Sequence, residues 1–149
     1  MALLVSACSS SAPPGFSLAS ATVDASYSCP KGSSNSPYDL HGTVQLRNPT
    51  PQSVTVEAVR ADLTLEAVNG GWLEKIGDMY QVDSSAFGPG MVGAGANVSM
   101  RVTIPSACTN GKNPAGADTY GDYRVRLHVV TTAGTYSIAA DHFHRITAA

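Results

Sequence analysis

The run Asp141-His142-Phe143-His144 is the densest group of chemistry-bearing side chains in this 149-residue chain. On a strand, His142 and His144 share one face, two residues apart. That spacing suits two ligands of one Zn²⁺ or Cu²⁺ ion, with His128 or Asp141 as a third. The plainer account is two solvated histidines flanking a core Phe143. Arg124, Arg126 and His128 recur at alternate positions. Two arginines one pleat apart could grip a carboxylate or sulfate through paired N–H bonds; the plainer account pairs them with Glu or Asp across the strand. Glu66 with Asp78 or Asp83 has a spacing compatible with a glycosidase carboxylate pair, and nothing else supports one. Trp72, with Tyr80 and Phe87 nearby in sequence, is either an aromatic patch for a sugar or a partner, or a lone tryptophan capping the core.

Other chemistries lack their motifs. The glycines from Gly88 to Gly95 precede a strand rather than a helix, and no Lys-Ser/Thr follows, so they do not form a phosphate loop. There is no Cys-x-x-Cys and no Gly-x-Ser-x-Gly elbow. Asn97-Val98-Ser99 is a sequon that matters only in a glycosylating host. The expectation is a non-enzymatic chain with no cofactor.

Composition narrows the partners. Charged residues make up 13% of the chain, about half the ~25% usual in soluble domains. The net charge is −2, and the only lysines are Lys31, Lys75 and Lys112. A nucleic-acid binder needs a basic face, and a membrane-surface helix needs a polybasic one; neither is present. No stretch approaches the ~20 apolar residues of a membrane-spanning helix. At 43% hydrophobic the chain can still fill a core, which excludes wholesale disorder.

The elements that must position these residues read as strands. From Phe16 onward apolar and polar positions alternate with period two. A first strand is expected over Leu18–Ser28 and a second over Leu40–Arg47, with Leu40, Val44 and Leu46 inward. In Ser53–Val68 the apolar parity changes, from Val54 and Val56 to Val59, Ala61, Leu63, Leu65 and Ala67. A strict strand cannot bury both sets, so a β-bulge or change of sheet is expected near Glu57-Ala58. Asn69-Gly70-Gly71 is a hairpin signal. Trp72–Tyr80 reads as loop plus a short strand, with one helical turn as the alternative. Val98, Met100, Val102 and Ile104 alternate until Pro105 ends their strand. Tyr123, Val125, Leu127 and Val129 form the next. Tyr136 and Ile138 begin the last, which runs on through Phe143 to Ile146. Seven to eight strands with no amphipathic helix predict an all-β, two-sheet antiparallel sandwich.

Three segments carry a resemblance: Gly42-Thr43-Val44-Gln45-Leu46-Arg47-Asn48-Pro49-Thr50, Val92-Gly93-Ala94-Gly95-Ala96-Asn97, and Gly121-Asp122-Tyr123-Arg124-Val125-Arg126-Leu127-His128-Val129. They look like strand–turn pieces of an immunoglobulin-like or fibronectin-III-like domain of a bacterial surface protein. The resemblance implies a corner role for Tyr123, its hydroxyl bonding the backbone a few residues upstream.

The N-terminus resembles the end of a bacterial lipoprotein signal. Val5-Ser6-Ala7-Cys8 matches the lipobox, and Ser9-Ser10-Ser11-Ala12-Pro13-Pro14-Gly15 looks like a flexible stalk. Seven residues precede Cys8 and none is Lys or Arg, so the likeness is to a truncated signal. It implies lipidation at Cys8, residues 1–15 as signal remnant and tether, and residues 16–149 as the sandwich domain. With Cys8 so used, Cys29 and Cys108 remain as a disulfide pair in an oxidising compartment; the alternative is two unpaired thiols in a cytosolic protein. The resulting expectation is a cell-envelope or secreted binding domain. Its partner is a protein or glycan at the cell surface, and it meets the membrane only through the lipid. The alternatives are a metal-binding protein using His142 and His144, and a subunit that self-assembles by adding its N-terminal strand to a neighbour's sheet edge.

Overall fold

The structure, a computed structural model, describes residues 14–30, 32, 35–108 and 119–148. Cys8, the lipobox and all of the expected stalk but Pro14 and Gly15 lie outside the described residues. The strands are β1 (Ser17–Val23), β2 (Ser26–Ser28), β3 (Ser36–Arg47), β4 (Val54–Asn69), β5 (Met79–Asp83), β6 (Ala86–Gly88), β7 (Met91–Val92), β8 (Asn97–Cys108), β9 (Tyr120–Thr131), β10 (Gly134–Ala139) and β11 (His144–Thr147). One sheet has the order β1-β3-β8-β6, and the other β2-β11-β9-β4-β5, with β10 on β9 and β7 on β4. The two face each other as an immunoglobulin-like sandwich. All pairings are antiparallel except β2 with β11, which is parallel.

The alternation explains the core. Leu40, Val44 and Leu46 of β3 and Met100, Val102 and Ile104 of β8 face Ala61, Leu63 and Leu65 of β4 and Val125, Leu127 and Val129 of β9, all essentially inaccessible to solvent. Each such Val, Leu or Ile contributes roughly 1.5–3 kcal/mol on leaving water. The parity change in β4 is absorbed by a register shift between Val56 and Ala58, where a bulge was expected. A second shift, between Leu65 and Ala67, comes where β4 turns outward to solvent.

Four boundaries differ from the sequence reading. The first expected strand is two, because the chain breaks at Asp24-Ala25 and crosses from one sheet to the other. Pro105 does not end β8. Thr103 O accepts from Ser85 N on the side away from β3, so Pro105, two residues on, turns its missing N–H to that unpaired side and costs no ladder bond. The last strand is also two: Ala140 N still bonds Val125 O in register with β9, but Asp141 N turns away to Ala21 O of β1 before β11 begins. Asn69-Gly70-Gly71 opens a loop through residue 78 rather than a tight hairpin, with Gly70 at φ +78°. The two splits, together with the short β6 and β7 of the glycine-rich stretch, bring the count from seven or eight strands to eleven among the described residues.

Cys29 and Cys108 form a disulfide, with Cα atoms 5.8 Å apart and a sequence separation of 79. The bridge ties the end of β2 to the end of β8 and so joins the two sheets at one pole. Closing a loop of that size stabilises the fold by about 4–5 kcal/mol in the chain-entropy account.

Candidate functional site

The two long flanks of the sandwich are finished differently. On one, the chain itself closes the gap by crossing between sheets at Asp24-Ala25. His144, at the start of β11, is buried beneath this crossing. Its Nδ1 donates to Asp24 O at 2.7 Å, since a carbonyl can only accept, and its Nε2 receives the Tyr38 hydroxyl at 2.7 Å. Tyr38 in turn stacks on Tyr27 at 3.8 Å between ring centres. Burial holds His144 below the usual histidine range, which keeps the ring neutral and the two bonds intact.

The other flank, between β5 and β8, stays open among the described residues. The loop 70–78 folds over its end. The Asp78 carboxylate accepts from Lys75 N at 2.8 Å, and Gly77 N donates to Leu65 O at 2.8 Å. Trp72 lies against Gly121, where a Cβ would meet the indole at 2.8 Å, so only glycine leaves the ring its seat. Its Nε1 donates to the Tyr123 hydroxyl at 2.9 Å and to Glu74 Oε2 at 3.1 Å, and Tyr123 donates to the same carboxylate oxygen. Tyr80 meets Tyr123 edge to face at 6.2 Å, and its hydroxyl is 3.3 Å from Ser106 Oγ.

These side chains border a groove of about 440 Å³, walled by Glu74, Tyr80, Val82, Pro105, Ser106 and Tyr123 among others. Burial raises the Tyr80 and Tyr123 phenols above their ordinary range, Glu74 adding to the effect on both, so both stay neutral donors. Glu74 is then the charged group of the groove. Leu73, Ile76 and Met79, on or next to the covering loop, are 73%, 63% and 54% exposed. A cleft with an apolar wall and a few convergent polar groups is the usual form of a small-ligand seat. A larger hollow, about 540 Å³, lies over β1, β3 and β8. Its Asp24 carboxylate is already matched to His41 N at 2.9 Å and to the His41 ring at 3.2 Å.

The expected histidine metal site is not assembled. Among the described residues no three His, Cys, Asp or Glu side chains converge to hold an ion. Both nitrogens of His144 are committed, and His142 donates Nε2 to Val23 O and lies against Asp141 Oδ1, each at 2.7 Å. His128 is on the opposite face of β9 from the inward Leu127 and Val129, five residues along from the strand position facing His144. Phe143 is exposed rather than core, with the Arg124 guanidinium 4.7 Å over its ring.

Cross-strand pairing explains most of the basic face. Arg124 binds Glu66 in a fork at 2.5 and 3.2 Å, which removes Glu66 from any glycosidase pair. Asp83 is with Arg60 at 2.8 Å. His128 sits between Asp62 Oδ2 at 2.7 Å and Ser137 Oγ at 2.6 Å, a row that sequence reading missed. It has the composition of an acyl-transfer triad. It lies on an outer sheet face, with Ser137 of β10 directly opposite His128 of β9 and Asp62 of β4 on the diagonal.

Two further sequence expectations change. Tyr123 is a structural tyrosine, but its hydroxyl meets Glu74 rather than backbone, because the loop 70–78 brings a carboxylate to it first. Trp72 is half-buried and packs against the core while its N–H serves the groove. Residues 17–23 and 26–28, needed for strand donation to a neighbour, are seated in the chain's own sheets.

No protein-family model matches this chain, and no curated protein matches it. Among solved structures it is similar to the ASH/PapD-like domain 7 of human CEP192, at 15% identity and TM-score 0.36, covering 100% of this chain and 96% of that one. It is also similar to Spo0M, the sporulation control protein of Bacillus subtilis, at 13% identity and TM-score 0.40, covering 85% of this chain and 49% of that one. The chain thus spans about half the length of the Spo0M structure. The fold assignment rests on the strands and pairings described above, and fold alone does not fix function.

Proposed function

We propose that the chain is an extracytoplasmic, non-enzymatic binding domain of the cell envelope, lipid-anchored through Cys8, with its ligand seat in the groove between β5 and β8. The observation that supports binding is the groove itself: Glu74, Tyr80 and Tyr123 converge on a cleft of about 440 Å³ whose wall includes Val82, Pro105 and Ile146. The Cys29–Cys108 bridge supports the compartment, because disulfides persist where the surroundings are oxidising. The layout suits an anchored molecule. The chain enters at Ser17, which pairs with Arg47 at one end of β3, while Ser36 at the other end pairs with Cys108. Twelve-residue β3 separates these poles by about 40 Å, so a tether at the first pole presents the groove away from the membrane.

Two measurements on the full chain test this. Intact mass and lipid labelling in the native host report acylation at Cys8, and an unmodified Cys8 would overturn the anchor. A thermal-shift panel of neutral, anionic and cationic small molecules and oligosaccharides, read together with Trp72 emission, tests the seat. At least one ligand class is expected to raise the melting temperature and change the emission of Trp72. A panel that moves neither, or a ligand that maps to another surface, would overturn it.

A further inference from the structure

We propose that the groove is built for a small organic cation, an ammonium group carrying an apolar substituent; this deepens the binding reading and rests on it. Three observations carry the inference. First, the described residues bordering the groove include one acid, Glu74, and among them no base, so the local field favours a positive guest. Glu74 is held in place by Trp72 and Tyr123, which both bond Oε2. Fixed on that side, the carboxylate can meet a cation without first being ordered.

Second, the carboxylate is set among aromatic rings. Half-buried Tyr80 and the more deeply buried Tyr123 border the groove, and Trp72 bonds Glu74 through its Nε1. Aromatic rings around a carboxylate attract ammonium groups through their negative faces, and more so where water is thinned out. Val82, Pro105, Ala107 and Ile146 complete an apolar wall suited to the substituent.

Third, the shape favours a small molecule over an added peptide strand. About 440 Å³ lies within the range of small-ligand sites. Strand addition needs a row of free backbone donors. The β8 wall offers Pro105 on this side, with no N–H, and β5 is only five residues long. Both are devices that discourage an incoming strand.

The test is a titration of the full chain followed by the emission of Trp72, the single tryptophan of the sequence. The probes are hexyltrimethylammonium, its neutral carbon isostere, hexanoate, and an extended lysine-containing peptide. The expected result is a saturable change with the ammonium, and binding about tenfold weaker for the neutral isostere. Glu74→Gln keeps an oxygen acceptor for Trp72 and Tyr123 but removes the charge. It should weaken ammonium binding by a similar factor and leave the neutral probe unaffected. Tyr80→Phe should retain affinity and Tyr80→Leu lose it.

Equal binding of the neutral isostere, or preference for hexanoate, would overturn the cation while leaving the groove a ligand seat. Preference for the peptide would overturn the small-molecule choice. Binding by none of the probes would overturn the proposal, and the wider panel would decide the seat separately. The comparison of ammonium with isostere uses the unaltered protein, so it stands even where a variant fails to fold.

Discussion

At the closed flank Tyr38 donates a hydrogen bond to His144, and at the open flank Tyr123 donates one to Glu74. The donor is the same and the surroundings differ. His144 is fully buried, its second nitrogen spent on Asp24 O, so the knot is saturated and only holds the crossing between sheets. Glu74 is half-buried and borders a groove, with one carboxylate oxygen accepting two hydrogen bonds and its charge unmatched by a base among the described lining residues. A polar group inside a sandwich is therefore structural when all its bonds are made within the chain. It is available for function when the chain orients it and leaves its charge facing open space.

The largest expected effect comes from the bridge that ties both flanks at one pole. Reduction, or Cys29→Ala with Cys108→Ala, should lower unfolding free energy by about 4–5 kcal/mol in a denaturant titration. An unchanged midpoint would mean that the sheets are held at that pole by packing alone. Next, Tyr38→Phe should cost about 1–3 kcal/mol, because it strands the buried Nε2 of His144. Tyr123→Phe should cost less, about 0.5–1.5 kcal/mol, since Trp72 still donates to Glu74. The reverse order would show that the open flank is the structural one.

The pH dependence sharpens the same contrast. His144 has a folded pKa below its unfolded value near 6.5, so the unfolded chain binds the proton more readily. Its contribution is fully present above about pH 6.5 and is lost as pH falls through that value towards the folded pKa. Chemical denaturation between pH 7.5 and 5, values chosen to bracket that range, should show the loss, and His144→Gln should flatten it. A profile unchanged by that substitution would contradict the buried-neutral assignment. The smallest effect is expected from metal. Micromolar zinc or copper should leave the melting temperature unchanged, and a rise abolished by His142→Ala with His144→Ala would restore the histidine metal site.

Most of the strand architecture was legible in period-two alternation, and the β4 bulge in its change of parity. The crossing at Asp24-Ala25 was not, because which sheet a short polar strand joins depends on a partner, β11, more than a hundred residues away. Pro105 misled for a related reason: whether a proline breaks a ladder depends on which side its missing N–H faces. The groove was legible only as fragments. Trp72, Tyr80 and Tyr123 had each been noticed, but Tyr123 and Glu74 lie 49 residues apart and meet only through the β4–β9 pairing and the loop 70–78. The histidine pair shows the converse, since spacing suggested a site and the fold spent its nitrogens on backbone and tyrosine.

The most direct test of an open flank built to receive a ligand is backbone and side-chain chemical-shift mapping of the full chain as hexyltrimethylammonium is added. The predicted shifts gather at Trp72, Glu74, Tyr80, Gln81, Ser106 and Tyr123 and leave Tyr27, Tyr38 and His144 in place. Shifts centred on Tyr38 and His144, with the β5–β8 groove silent, would contradict it.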